Sequence, residues 1–160
     1  MTSQTNSFQI TALPKAQFEH LFSRPDNELA ALRARRVVAT TKPGFPCRVS
    51  LADAEVGEEV ILVNYEHQSA DSPYRASHAV YVRPGAAQSS FEPGVVPEVL
   101  RTRALSLRGF NEQGMLVGAD VVDGKALETA IEMLFENSAV SYIHIHFAGA
   151  GCYAARADRT

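Results

Sequence analysis

The chain reads as an α+β protein: a largely antiparallel sheet of about five to seven strands, with two N-terminal helices and one helix in the C-terminal half. Three observations predict it. β-Favouring runs recur at Glu59–Tyr65, Ala76–Arg83, Leu105–Phe110, Met115–Val121 and Val140–Phe147. Helical spacing of apolar residues is confined to the stretch before Arg35 and the stretch after Asp123. Asn111-Glu112-Gln113-Gly114, between two of the strands, has the composition of a hairpin loop closing on glycine.

In chain order, Leu13-Pro14 opens a short helix, since proline suits the first helical position and Phe18, Leu21 and Phe22 recur at helical spacing. Ser23 to Asp26 stops it. A second helix, about Asp26 to Arg35, turns Leu29 and Leu32 inward and ends on Arg33, Arg35 and Arg36, where cations suit the helix dipole. Arg36–Thr40 continues as a short strand. Lys42 to Arg48 has a glycine bracketed by prolines and cannot be helical. Leu51 to Glu58 turns on Gly57 into the apolar strand Glu59–Tyr65, buried on both faces.

Glu66 to Pro73 is a polar loop leading to Ala76–Arg83, where alternation places His78 with Ala76, Val80 and Val82. Pro84 to Pro97 is a Gly/Pro/Ser-rich surface loop. Asp123 caps a helix reaching about Glu136, with Leu127, Ala130, Ile131, Leu134 and Phe135 as its buried stripe. Glu128, Glu132 and Glu136 form a solvated ridge. A glycine turn, Gly149-Ala150-Gly151, leads into a last strand, Cys152–Arg156.

Composition narrows the function classes. At 160 residues, 46% hydrophobic and 21% charged, the chain suits one α+β domain over 8–160 after a flexible N-terminus at 1–7. A net charge of -3 gives no reason to expect nucleic acid. Twelve arginines against three lysines follow from genomic base composition as readily as from anion recognition. No apolar run is long enough to span a bilayer, and Met1–Ser7 has no basic start before a hydrophobic stretch, so no membrane partner and a cytoplasmic location are expected. Cys47 and Cys152 lie far apart and are expected as reduced thiols.

The sharpest chemical signal is the strand Val140–Phe147. Alternation sends Ile143, Ile145 and Phe147 to one side and Tyr142, His144 and His146 to the other. If the apolar side packs under helices, the imidazoles line something else. Two histidines two apart can flank a substrate or share a metal, yet a catalytic metal needs a third protein ligand and the chain has no diagnostic spacing. No metal is therefore expected; if one is present, its ligands are His144, His146 and His67. His144, His146, Cys152 and Cys47 are candidates for catalysis, since an imidazole near a thiol activates it. Tyr65, His67, Tyr74, Arg75 and Tyr142 are candidates for ligand binding, with Arg75 as an anion contact.

The runs PGFPCRVSLADAEVGEEVILVNYEHQ and SPYRASHAVYVR, with the terminal GCYAAR, resemble a bacterial family catalogued as domain of unknown function 1203. The resemblance extends from about Phe8 to Arg159 and implies a small stand-alone bacterial protein, with no catalytic residue to carry over. Members often have Gly-Pro-Ile where this chain has Ser77-His78-Ala79, which sets His78 apart from any shared chemistry. No particular cofactor is implied. Two functions stay open: a small-ligand-binding protein or enzyme with a His/Tyr/Arg-lined pocket, or a non-catalytic interaction module acting as a homodimer.

Overall fold

The computed structural model describes residues 8–160, so the flexible lead expected at residues 1–7 lies outside the described residues. The described strands form two five-stranded sheets. The first runs in the order β1 (Phe8–Thr11), β10 (Tyr153–Arg159), β9 (Tyr142–Phe147), β7 (Ala104–Phe110) and β8 (Leu116–Asp123), antiparallel throughout. The second runs β2 (Ala34–Val38), β5 (Glu59–Gln68), β6 (Ala76–Val82), β3 (Pro46–Cys47) and β4 (Ala52–Asp53), with only β3 and β6 parallel. The α+β class and antiparallel pairing are those expected from the sequence. That the strands divide between two sheets is the new element.

Among the described residues four short α-helices accompany them: α1 (Glu19–Phe22), α2 (Asp26–Ala31), α3 (Glu98–Arg101) and α4 (Leu127–Phe135). Two boundaries differ from expectation for a backbone reason. α2 stops four residues before Arg35 because Arg33 takes a left-handed conformation, φ 56°, and Ala34 opens β2 opposite Val63. Asp123 caps a 3-10 turn, Gly124–Ala126, rather than α4 itself, accepting from the Lys125 backbone N–H at 2.9 Å. β1 and α3, each four residues long, are too short to leave a periodic signal.

Each face of the first sheet has its own partner. α4 lays Leu127, Ala130, Ile131 and Phe135 over Leu105, Leu107, Ile143 and Ile145. On the opposite face Tyr153 reaches into the core of the second sheet, joining Ile61, Val63, Val80 and Val82 with Phe18, Leu21 and Leu29 from the N-terminal helices. The isoleucines of β9 thus face the helix, and its histidines face the other sheet.

Gly124 fixes the approach of α3 to the turn before α4. An added Cβ there would stand 1.9 Å from the Leu100 carbonyl oxygen and 2.7 Å from Arg101 Cα, both backbone atoms that cannot rotate away. Gly124→Ala is expected to cost about 3 kcal/mol through forced displacement of α3. Thermal denaturation checks it; an unchanged midpoint would mean that α3 moves aside freely.

Candidate functional site

The histidine face of the first sheet is a grid of three rows across β7, β9 and β10. Register places Ser106 and Tyr153 on either side of His146, Arg108 and Arg156 on either side of His144, and Phe110 and Asp158 on either side of Tyr142. Side chains at paired positions of neighbouring strands share a face. The grid depends on an irregularity in β10 between Tyr153 and Ala155, which brings Tyr153 to the same side as Arg156.

The second sheet supplies the remaining imidazole. β5 was expected to end at Tyr65, with His67 in a loop; it continues to Gln68 because β6 keeps pairing with it, down to Gln68 opposite Ala76. A β-bulge between Glu66 and Gln68 lets consecutive side chains reach the first sheet. His67 meets His146 edge-on at 4.9 Å between ring centroids and stacks on Tyr153 at 5.8 Å. Gln68 donates from Nε2 to the Tyr142 hydroxyl at 3.1 Å.

One ring nitrogen from each of His67, His144 and His146 lies within 4.8 Å of the others. His144 and His146 are buried, 4% and 0% exposed, and His67 is half-buried. His67 Nδ1, His144 Nδ1 and His146 Nε2 are sealed from solvent without a hydrogen-bond partner. The tautomer of His146 follows from chemistry. Its Nδ1 lies 2.9 Å from the Gly151 carbonyl oxygen, which can only accept, so Nδ1 carries the proton and Nε2 keeps a free lone pair.

Burial is the main reason all three rings resist protonation. It lowers His67 to about 4, with Arg108 and His78 adding to the effect, and lowers His144 and His146 to about 3. Nearby positive charge, that of Arg108 above all at His67 and His146, pushes the same way, while at His146 the hydrogen bond to the Gly151 carbonyl opposes it. At neutral pH the cluster is three neutral imidazoles, the form that binds metals.

A cavity of about 390 Å³ opens beside the cluster, lined by His67, His144, Tyr65, Tyr153, Arg156 and Asp158 among others. Burial raises the pKa of both tyrosines, so each remains a protonated phenol at neutral pH. The remaining candidates lie around this centre or outside it. Tyr142 lies under the Arg156 guanidinium, 4.2 Å from its ring centroid, and packs on His144. Tyr74 contacts Phe110 at 6.1 Å and is exposed, while Arg75 pairs with Glu66 at the surface. His78 is bonded to the Ala79 carbonyl through Nδ1.

Neither thiol belongs to the histidine cluster. Cys47 is buried and its Sγ accepts from the backbone N–H groups of Ser50 and Arg83. Cys152 Sγ takes Nη2 of Arg48 at 2.9 Å, and the same guanidinium, 1% exposed, bonds the Tyr153 and Pro46 carbonyls. Arg48 ties the turn after β9 to the second sheet. It is a buried polar anchor that composition alone could not single out, because two of its three partners, the Tyr153 carbonyl and the Cys152 thiol, lie far away in sequence.

Among the described residues no helix is long and apolar enough to cross a membrane. No curated protein and no solved structure matches the chain. A family model does match, over residues 44–159, a span that takes in β3 to β10 and all three clustered histidines. The chain belongs to the family described as Protein of unknown function (DUF1203).

Proposed function

We propose that His67, His144 and His146 bind a divalent transition-metal ion, and that the protein is a small-molecule-binding metalloprotein of the catalytic type. The observation that carries this reading is the set of three orphaned ring nitrogens. A buried polar atom left without a partner costs about 1–3 kcal/mol, and each of three rings that bring one nitrogen within 4.8 Å of the others carries such an atom, which a common ligand would explain. An all-imidazole set suits zinc, copper, nickel or iron rather than calcium or magnesium. Tetrahedral capture at about 2.0–2.1 Å from each nitrogen would set the nitrogens about 3.4 Å apart, so their separations would shorten by at most about 1.4 Å.

Three protein ligands leave a coordination position open, the arrangement of catalytic rather than structural zinc sites. Here the adjoining cavity gives that position access to a small molecule. A metal so held acidifies bound water and polarises a coordinated carbonyl or phosphoryl oxygen, and the protonated Tyr65 and Tyr153 hydroxyls are donors for the oxygen of a bound ligand.

Calorimetric titration of chelator-treated protein with zinc and cobalt(II) tests the reading. One equivalent is expected to bind, with a cobalt visible spectrum of low coordination number. The His144→Ala/His146→Ala double variant is expected to lose roughly a hundredfold or more in affinity. A folded wild-type protein that takes up no metal would sink the proposal.

A further inference from the structure

We infer that the ligand of this centre is an oxyanion, a carboxylate or a phosphate, held jointly by the metal and by Arg108. The inference rests on the metal reading above and adds the charge of the ligand. It starts from the middle row of the grid. Arg108 on β7 and Arg156 on β10 both pair with His144, so two guanidinium side chains flank one imidazole on the same face. They differ in what neutralises them. Arg156 forks onto Asp158, with contacts of 2.8, 2.9 and 3.0 Å. The Arg108 side chain makes no hydrogen bond or ion pair among the described residues, although the residue is only half-exposed.

Half-buried and without a side-chain partner, Arg108 is a cation partly stripped of water with nothing in return. Of the two guanidinium groups only Arg156 lines the cavity, while Arg108 borders the imidazoles from the β7 side; the second carboxylate lining the cavity, Glu66, is committed to Arg75. A dication placed among three neutral imidazoles would add to Arg108 and leave the face with an uncompensated positive charge. Like charges on adjacent strands of one partly dry face repel by amounts that matter to affinity. An anion on the open coordination position removes the conflict, because it ligates the metal and presents oxygens to the five donors of the guanidinium. A neutral ligand leaves the conflict in place.

Metal and anion should therefore bind synergistically, and Arg108 should oppose the metal when no anion is present. The test is a cobalt(II) titration in buffer free of coordinating anions, repeated with inorganic phosphate and with oxalate. Wild-type protein is expected to bind cobalt about tenfold more tightly with the preferred anion, and the anion to bind the loaded protein more tightly by the same factor. Comparison of phosphate with oxalate distinguishes the two oxyanion classes. Arg108→Ala and Arg108→Gln are expected to bind cobalt severalfold more tightly than wild type without anion, and to lose the synergy. Arg108→Lys is expected to keep part of it. A merely structural role for Arg108 would not raise metal affinity on its removal.

Cobalt binding that is indifferent to both anions, or synergy that survives in both neutral variants, would overturn the inference while leaving the metal centre standing. Absence of cobalt binding under every condition would overturn the centre itself, and the inference with it.

Discussion

Metal-free protein is expected to unfold on mild acidification, between about pH 6 and pH 4, with uptake of close to three protons. His67, His144 and His146 have folded-state pKa values of about 4, 3 and 3, all below the ordinary histidine value of 6.5. Between those limits the unfolded chain binds protons that the folded chain refuses. Stability is therefore fully present above about pH 6.5 and falls as the pH drops toward the folded values. Each fully responding histidine removes about 1.4 kcal/mol per pH unit, so three of them over two units remove about 8 kcal/mol. That is comparable to the whole stability of an ordinary domain, about 5–15 kcal/mol.

Circular dichroism across an acid titration, with urea melts at each pH, measures both the midpoint and the slope. His144→Leu is expected to reduce the slope by about one proton. Stability that stays level from pH 7 to pH 4.5 would show that the imidazoles are not held neutral by burial. Proton competition inside the folded state begins only near pH 4, so metal release on acidification is expected to follow unfolding rather than precede it.

The second large effect is the stabilisation that a bound metal confers by joining the two sheets. His67 comes from β5 of one sheet, and His144 and His146 come from β9 of the other. At free zinc a thousand times the dissociation constant, wild-type protein is expected to gain about 4 kcal/mol. For a chain of this length that raises the melting temperature by about 8–16 °C. His67→Phe keeps an aromatic ring against Tyr153 but removes the ligand from the second sheet. Its zinc-dependent gain is expected to fall below about 1 kcal/mol at the same zinc concentration. Melting curves with zinc and with chelator measure the difference; equal gains in the two proteins would mean that His67 is no ligand.

These expectations separate what local pattern conveys from what it does not. The orientation of the β9 histidines is legible because alternation is a property of the strand: Ile143 and Ile145 need the helix face, so His144 and His146 take the other. The hairpin at Asn111–Gly114 is legible for a similar reason, since Gly114 takes φ +73° and Asn111 accepts the returning backbone N–H groups. The length of β5 is not. Glu66, His67 and Gln68 have the composition of a loop and become strand because β6 offers hydrogen bonds to them.

Spacing rules register side chains carried by one element or one turn, so they give no sign of a cluster drawn from two sheets. His67 and His144 stand far apart in the chain and meet because two sheets pack face to face. Tyr74 and Arg75 show the converse: a polar loop near the site directs Arg75 to Glu66 and Tyr74 to Phe110, each one side chain short of the imidazoles.

By itself the sequence determined the α+β class, most strand positions and the side of β9 on which the histidines emerge, because each follows from short-range periodicity and turn stereochemistry. Only the tertiary structure decided that there are two sheets, that a bulge aims His67 across the gap between them, and that Arg108 and Arg156 flank His144. Those are matters of pairing between distant segments. The free energy that selects them comes from burial and hydrogen bonds formed after the chain has folded back on itself, and no local pattern encodes it.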